Sequence, residues 1–201
     1  MTKLIGLTGR SGAGKSAAAA IFAELGFPLI DADAVYHSII SQDTPCTEEL
    51  VATFGDEIRK KEGGIDRKKL GKSIFGKPNT ADLLHSLNQI THKYIMANIR
   101  DAVRSYREKN LRAVILDAPQ LFEANADREC DAVLGILAPD EVCIARIMLR
   151  DGISKESAAQ RLSAQLPSEF FRQRCTAVLE NTGDLAALKA GICQFLKDIG
   201  V

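Results

Sequence analysis

The run Gly9-Arg10-Ser11-Gly12-Ala13-Gly14-Lys15-Ser16 fits G-x-x-x-x-G-K-[ST] at every defined position. The chemistry this spacing serves is the holding of nucleotide phosphates. Glycines let the backbone wrap closely and turn its N–H groups inward. A helix starting near Lys15 adds its positive end. Lys15 then reaches the β and γ phosphates, and the Ser16 hydroxyl ligates Mg²⁺. A glycine-rich turn with an incidental lysine is the plainer alternative. The flanking strand and helix patterns, described below, argue against it.

Other groups need that phosphate site to make sense. Asp117 closes the apolar run Ala113–Asp117, the layout of a carboxylate that faces the metal through a water. Otherwise it is a strand-end aspartate that starts a turn before Pro119. Asp31 and Asp33 follow a second short apolar run. Carboxylates beside a phosphate site repel a nucleotide unless one has work to do. Accepting the proton of a phosphate-acceptor hydroxyl is such work; the other would hold a metal water or cap the next helix. Arg146 and Arg150 are four apart, on one helical face, and Arg161 lies on the next helix. Phosphoryl transfer needs cations over the moving group and water kept out. A mobile helical pair carrying arginines supplies both; a solvated basic face is the alternative. His37, His85 and His92 lack metal-ligand spacing and read first as surface or capping residues. Phe22, Phe27, Phe54 and Phe75 read as core.

These residues must be placed by elements. Leu4–Thr8 reads as a buried strand and Ser16–Leu25 as a helix stopped by Gly26. Phe27–Asp31 is a second strand, so the chain opens as a βαβ unit. Asp33 to Asn110 shows no convincing strand. It holds helix candidates at Thr47–Phe54, Arg67–Phe75 capped by Asp66, and Asn79–Asn110. Strands resume at Ala113–Asp117, Ala132–Leu137 and Ala177–Glu180. Continuous apolar strands alternating with helices imply a parallel sheet covered on both faces. Helices Glu141–Asp151 and Ser154–Gln165 join at Gly152, with Ser154 as N-cap. Leu185–Ile199 closes the chain.

At 201 residues and 46% apolar, the chain fits one domain with a real core and excludes disorder. Lys+Arg and Asp+Glu are 26 each, which argues against a dedicated nucleic-acid binder. No apolar run approaches the ~18 residues of a membrane span, and none is long enough for a signal peptide. A cytoplasmic protein is expected. The five scattered cysteines, with no CxxC, read as buried thiols in a reducing compartment.

The phosphate motif names a nucleotide, not an acceptor. Regulatory GTPases are disfavoured: Ala-Pro-Gln follows Asp117 where a DxxG switch would stand, and no NKxD occurs. Length and short lid look like the nucleoside- and nucleotide-kinase branch of P-loop proteins. Within it, LIGLTGRSGAGKS, LIDADAVYH, LDAPQLFE, RIMLRDGISKESAAQRLSAQ and LENTG, spread over residues 4–183, together resemble the dephospho-coenzyme A kinase family. That resemblance implies ATP-dependent phosphorylation of the ribose 3′-hydroxyl of dephospho-CoA. It implies a nucleotide core, a helical acceptor-binding insert and a lid. It makes Asp33 the acceptor base, Lys15 the phosphate lysine, and Arg146 or Arg150 the lid cation. It puts Asn181 and Gly183 beside the adenine. The acceptor's identity comes from the resemblance alone.

The chain departs from the family pattern at four places. Gln120 stands for a usual Leu, Lys93 for a Pro after His92, Ala17 for a Thr, and Glu180 for an Asp. Without that Pro, the helix around His92 is expected to begin earlier.

The expectation is an α/β, P-loop kinase-like three-layer sandwich. It has a five-stranded, mostly parallel sheet, a helical insert and a helical lid. The core is 1–32, 111–139 and 176–201, the insert 33–110 and the lid 140–175. ATP is assigned Gly9, Ser11, Gly12, Ala13, Gly14, Lys15, Ser16, Ala17, Asn181 and Gly183. Mg²⁺ is assigned Ser16 and Asp117. Dephospho-CoA is assigned Thr8, Asp31, Asp33, His37, His92, Pro119, Leu121, Phe122 and Arg161. Catalysis falls to Lys15, Asp33, Arg146 and Arg150. No nucleic-acid or membrane partner is expected, and the chain is read as a monomer or weak homo-oligomer. Two alternatives are another P-loop nucleotide or small-metabolite kinase, and an ATP-binding regulatory module without an acceptor.

Overall fold

The computed structural model describes residues 2–201. Its elements run β1 (Lys3–Gly9), α1 (Lys15–Glu24), β2 (Leu29–Asp31), α2 (Ala32–Ile40), α3 (Pro45–Phe54), α4 (Arg67–Ile74) and α5 (Thr80–Glu108). They continue β3 (Ala113–Asp117), β4 (Ala132–Leu137), α6 (Asp140–Asp151), α7 (Lys155–Ser163), α8 (Ser168–Arg174), β5 (Ala177–Glu180) and α9 (Leu185–Asp198). The chain divides into two compact units: residues up to Ile30 with Ser105–Val201, and Asp31–Arg104.

The first unit is built on the sheet, in the order β2-β3-β1-β4-β5 and parallel throughout. β1 is central because its residues are almost wholly apolar, and Ile5 and Leu7 are fully buried. Phe22 of α1 and Ile192, Phe195 and Leu196 of α9 pack onto that core with Leu134 and Ile136 of β4. The register sets Leu7 opposite Asp117 of β3 and Gly9 opposite Ile136 of β4. The carboxyl ends of β1 and β3 therefore meet at one edge of the sheet.

β2 is shorter than the apolar run predicted. Pro28 has no N–H for the ladder, though its carbonyl still accepts from Ile115 N at 2.9 Å. Two helices carry no strong signal in the sequence. α2 starts directly after β2 with no loop between. α8 has seven residues, too few to show a period.

The second unit packs α2, α3, α4 and part of α5 around Leu50, Ile58, Ile65 and Ile74. Thr44 and Thr47 form a reciprocal capping box at the start of α3. Asp66 caps α4, accepting from Lys68 N and Lys69 N at 2.9 and 3.1 Å. α5 runs unbroken past His92-Lys93, as the missing proline predicts. Lys93 instead donates to Glu49 of α3 at 2.8 Å, beside Tyr94, whose hydroxyl donates to the same oxygen at 2.8 Å. Phe75 is not core: it is 62% exposed, where the backbone leaves α4 before the left-handed Gly76.

All five cysteines are free thiols, and Cys46 and Cys143 are buried. Burial pushes the Cys46 thiol up to about 11 and those of Cys130 and Cys175 up to about 12. Thiols so placed are poor nucleophiles at neutral pH. No described helix is long and apolar enough to cross a membrane.

Candidate active site

The phosphate loop leaves β1 at Gly9 and enters α1 at Lys15. Gly12 and Gly14 hold φ of 78° and 98°, backbone that side chains other than glycine rarely adopt. A Cβ on Gly12 would stand 2.5 Å from the Cys143 carbonyl oxygen, and one on Gly14 would collide with the Asn181 amide. The glycines are thus required twice, for the turn and for the close approach. Ala13 is buried beneath the loop. Ser16 is exposed at the head of α1, and Ala17 is half-buried behind it.

Lys15 reaches across this edge and ion-pairs with Asp117. The register of β1 and β3 makes that contact possible. Fully buried Thr8 donates from Oγ1 to the Pro119 carbonyl at 3.3 Å and so ties β1 to the turn after Asp117. Beyond that turn, Pro119 and Gln120 are exposed while Leu121 and Phe122 go inward. Leu121 is fully buried, and a Cβ on Gly6 of β1 would stand 2.8 Å from its Cδ2. Phe122 packs edge-on against Phe170 and Phe171 of α8, with the Arg174 guanidinium 5.6 Å from its ring centre. In this structure both side chains do packing work.

Asn181, directly after β5, and Arg146 of α6 both grip the loop. Buried Asn181 donates from Nδ2 to the Ala13 carbonyl at 2.8 Å and accepts from Gly183 N at 3.1 Å. Arg146 Nη1 donates to the carbonyls of Gly12, Ala13 and Asn181 at 3.1, 3.4 and 3.3 Å. Arg150, one turn along α6, sits at the loop's mouth, with Nη2 3.4 Å from Ser11 Oγ. It also forms a two-pronged pair with Asp151 at 2.7 and 2.9 Å, and Arg161 of α7 reaches the same carboxylate at 2.6 Å. The Arg150 contact, then Arg161, hold the Asp151 carboxyl below its usual range.

Sequence reasoning passed over Arg10, which occupies an unspecified position of the motif. It is 7% exposed and bonds to Asp140 of α6, Leu162 of α7 and Ser168 of α8. Gln165 was also unassigned; its Oε1 accepts from Ser11 N at 2.9 Å. Neither has a spacing rule that could have found it.

On the second unit, Asp31 caps α2, accepting from Asp33 N and Ala34 N at 2.9 and 3.0 Å. Asp33 sits in the first turn of α2 with its carboxylate unpaired among the described residues. His37 Nδ1 lies 3.5 Å from Arg67 Nη1 at a cavity of about 370 Å³ that Lys60 and Lys68 also line. His92 lies on α5, half-buried, and burial lowers its pKa.

Among the described residues no group of three or more His, Cys, Asp or Glu forms a metal cage. Ser16 and Asp117 fit a Mg²⁺ that arrives with phosphates and keeps several waters, the usual habit of that ion.

Comparisons with known proteins agree in one direction. The family model described as dephospho-CoA kinase matches residues 3–187. A dephospho-CoA kinase of Carboxydothermus hydrogenoformans is 36% identical over 194 residues, covering 96% of this chain and 93% of that protein. One of Enterococcus faecalis is 33% identical over 199 residues, covering 98% of each. Among solved structures, a Thermus thermophilus protein superposes with TM-score 0.79 at 32% identity, covering 100% of this chain and 99% of the other. A dephospho-CoA kinase from Campylobacter jejuni gives 0.72 at 29% identity, covering 99% and 98%. A shikimate kinase from Acinetobacter baumannii gives 0.55 at 14% identity, covering 100% and 96%, which shows the shared fold alone.

Proposed function

The chain belongs to the dephospho-CoA kinase family, and from that membership we propose how its residues divide the work. It is a phosphotransferase acting on dephospho-CoA, with ATP as co-substrate. The phosphoryl group goes to the ribose 3′-hydroxyl and CoA leaves as product.

ATP lies along Gly9–Ala17, its phosphates taking the loop's N–H groups. Ser16 and Asp117 are the residues that would hold a Mg²⁺ arriving with the nucleotide, and a metal there would supply charge neutralisation at the phosphates. Lys15 leaves Asp117 and follows the transferring group. Arg150 is the lid cation, because it stands at Ser11; Arg146, bonded to the loop's carbonyls, holds the loop in shape. Asn181 and Gly183 border the adenine. Asp33 orients the acceptor hydroxyl and takes its proton late in an in-line transfer. Asp31, occupied as a cap, holds Asp33 in place. His37 and His92 belong to the acceptor side, with Pro119 and Arg161. The protein works in the cytoplasm.

The observation that supports this reading most is the pairing of Lys15 with Asp117 at the end of a complete phosphate loop. The test is ADP release from ATP and Mg²⁺, with and without dephospho-CoA, and with AMP and adenosine as controls. ADP release that requires dephospho-CoA and yields CoA is expected. Release that instead follows AMP or adenosine, or no acceptor, overturns the assignment.

A further inference from the structure

We propose that Arg10 is a positioning residue. Its guanidinium fixes the lid helices α6, α7 and α8 against the phosphate loop and so sets how well water is kept from the transferring phosphoryl. The proposal rests on the reading that these helices are the lid of the phosphate site.

Arg10 follows Gly9 directly, where β1 ends. Its Nη1 donates to Asp140 Oδ1 at 2.5 Å and to Ser168 Oγ at 3.0 Å, and its Nη2 donates to the Leu162 carbonyl at 3.2 Å. Asp140 is the first residue of α6, Leu162 lies in the last turn of α7, and Ser168 is the first residue of α8. One side chain of the loop therefore holds one end of each lid helix. The planar fork of guanidinium makes this possible; a single ammonium has no such fixed spread of donors.

The arrangement is costly. The Arg10 side chain is 7% exposed, while Asp140 is 62% exposed, so the cation gives up its water for a partner that keeps much of its own. The Arg10 Nε is buried with no partner. A charge kept in such a place is weak evidence of stability, since a shape-matched apolar group often does as well. It is better evidence that a particular geometry is being held.

The neighbouring residue reports what that geometry achieves. Ser11 N donates to Gln165 Oε1 at 2.9 Å, and Ser11 Oγ accepts from Arg150 Nη2 at 3.4 Å. Gln165 lies between Leu162 and Ser168, the two residues Arg10 holds. Arg10 thus fixes both ends of the segment that presents Gln165 to the loop. If that segment drifts, the opening beside Ser11 widens and water gains access to the γ phosphate. An open site hydrolyses ATP instead of transferring to the acceptor.

The experiment compares Arg10→Lys and Arg10→Met with the unchanged chain. CoA formation and acceptor-independent ADP release are measured on the same preparations. Both variants should lower kcat for transfer about 10-fold, with KM for dephospho-CoA little changed, the kind of loss a small misplacement causes. The ratio of acceptor-free hydrolysis to transfer should rise severalfold. A loss of folded protein lowers both rates together and leaves their ratio unmoved. Asp140→Asn and Ser168→Ala loosen the same contacts from the lid side, and each should raise the ratio by less. They carry the test if the Arg10 variants do not fold. An unmoved ratio in variants that melt as the unchanged chain does overturns this proposal alone. Failure of the unchanged chain to release ADP in response to dephospho-CoA overturns the kinase reading, and this proposal with it.

Discussion

Lys15 and Asp117 are bound to each other, with side chains only 17% and 16% exposed. Each is the other's counter-ion until nucleotide arrives. In the proposed mechanism ATP draws Lys15 away from this pair and leaves Asp117 to hold a metal ion, so removing either partner should have its own signature.

Lys15→Ala should therefore lower kcat by ~10²–10³, the scale seen when one preorganised donor or cation is lost. Thermal melting should move little, because the pair lies at a sheet edge and not in the core. Asp117→Asn should act differently. It frees Lys15, so ATP binding without metal tightens, while the stimulation by Mg²⁺ falls. Titration calorimetry with and without Mg²⁺ checks both. Near-full activity of Lys15→Ala would sink the mechanism.

Asp31 and Asp33 should separate by what their variants change. Asp33→Asn leaves the α2 cap intact and should lower kcat by ~10²–10⁴, the usual worth of a positioned base. Asp31→Ala removes the acceptor of two N–H groups and should cost about 1 kcal/mol of stability. Parallel kinetics and melts decide it. If Asp33→Asn turns over normally while Asp31→Asn does not, the two roles are exchanged.

The two arginines of α6 should also part. Arg150→Ala removes a cation at Ser11 and should reduce kcat more than it raises KM for ATP. Arg146→Ala removes three bonds, to the carbonyls of Gly12, Ala13 and Asn181, so its main effect should be weaker ATP binding. The KM-against-kcat split is the readout. Equal effects of both variants on both constants would contradict this division.

His92 gives the second unit a pH dependence. Burial lowers its folded pKa below the ordinary 6.5. The folded state then prefers the neutral ring. The stability it contributes is present above pH 6.5 and is lost as the pH falls through the lowered folded value. Melts at pH 7.5 and 5.5 should show a smaller acid loss for His92→Gln than for the unchanged chain. An identical acid loss in both would count against it.

Much of this was legible from the residues. The loop glycines announce themselves by type and spacing, since few other residues can turn the backbone there. The strands Ala113–Asp117, Ala132–Leu137 and Ala177–Glu180 match the sequence reading to the residue. The first two are buried and so continuously apolar, and half-buried β5 at the sheet's edge is a short apolar run closed by exposed Glu180. The caps Asp66 and Ser154 were equally plain. Short α8 was not, because seven residues show no period. Nor could sequence show that Leu121 is wholly core, since an apolar residue reads alike in a core and in a ligand pocket.

What the sequence determined by itself, then, was chemistry that depends on local order: the phosphate loop, the strand-end carboxylates, the helix caps and the alternation that makes a parallel sheet. Only the tertiary structure decided which charges meet. Lys15 finds Asp117 across 102 positions of chain, and Arg10 finds Asp140 across 130. No local pattern encodes such pairs, because they are set by strand register and by how helices pack on the sheet.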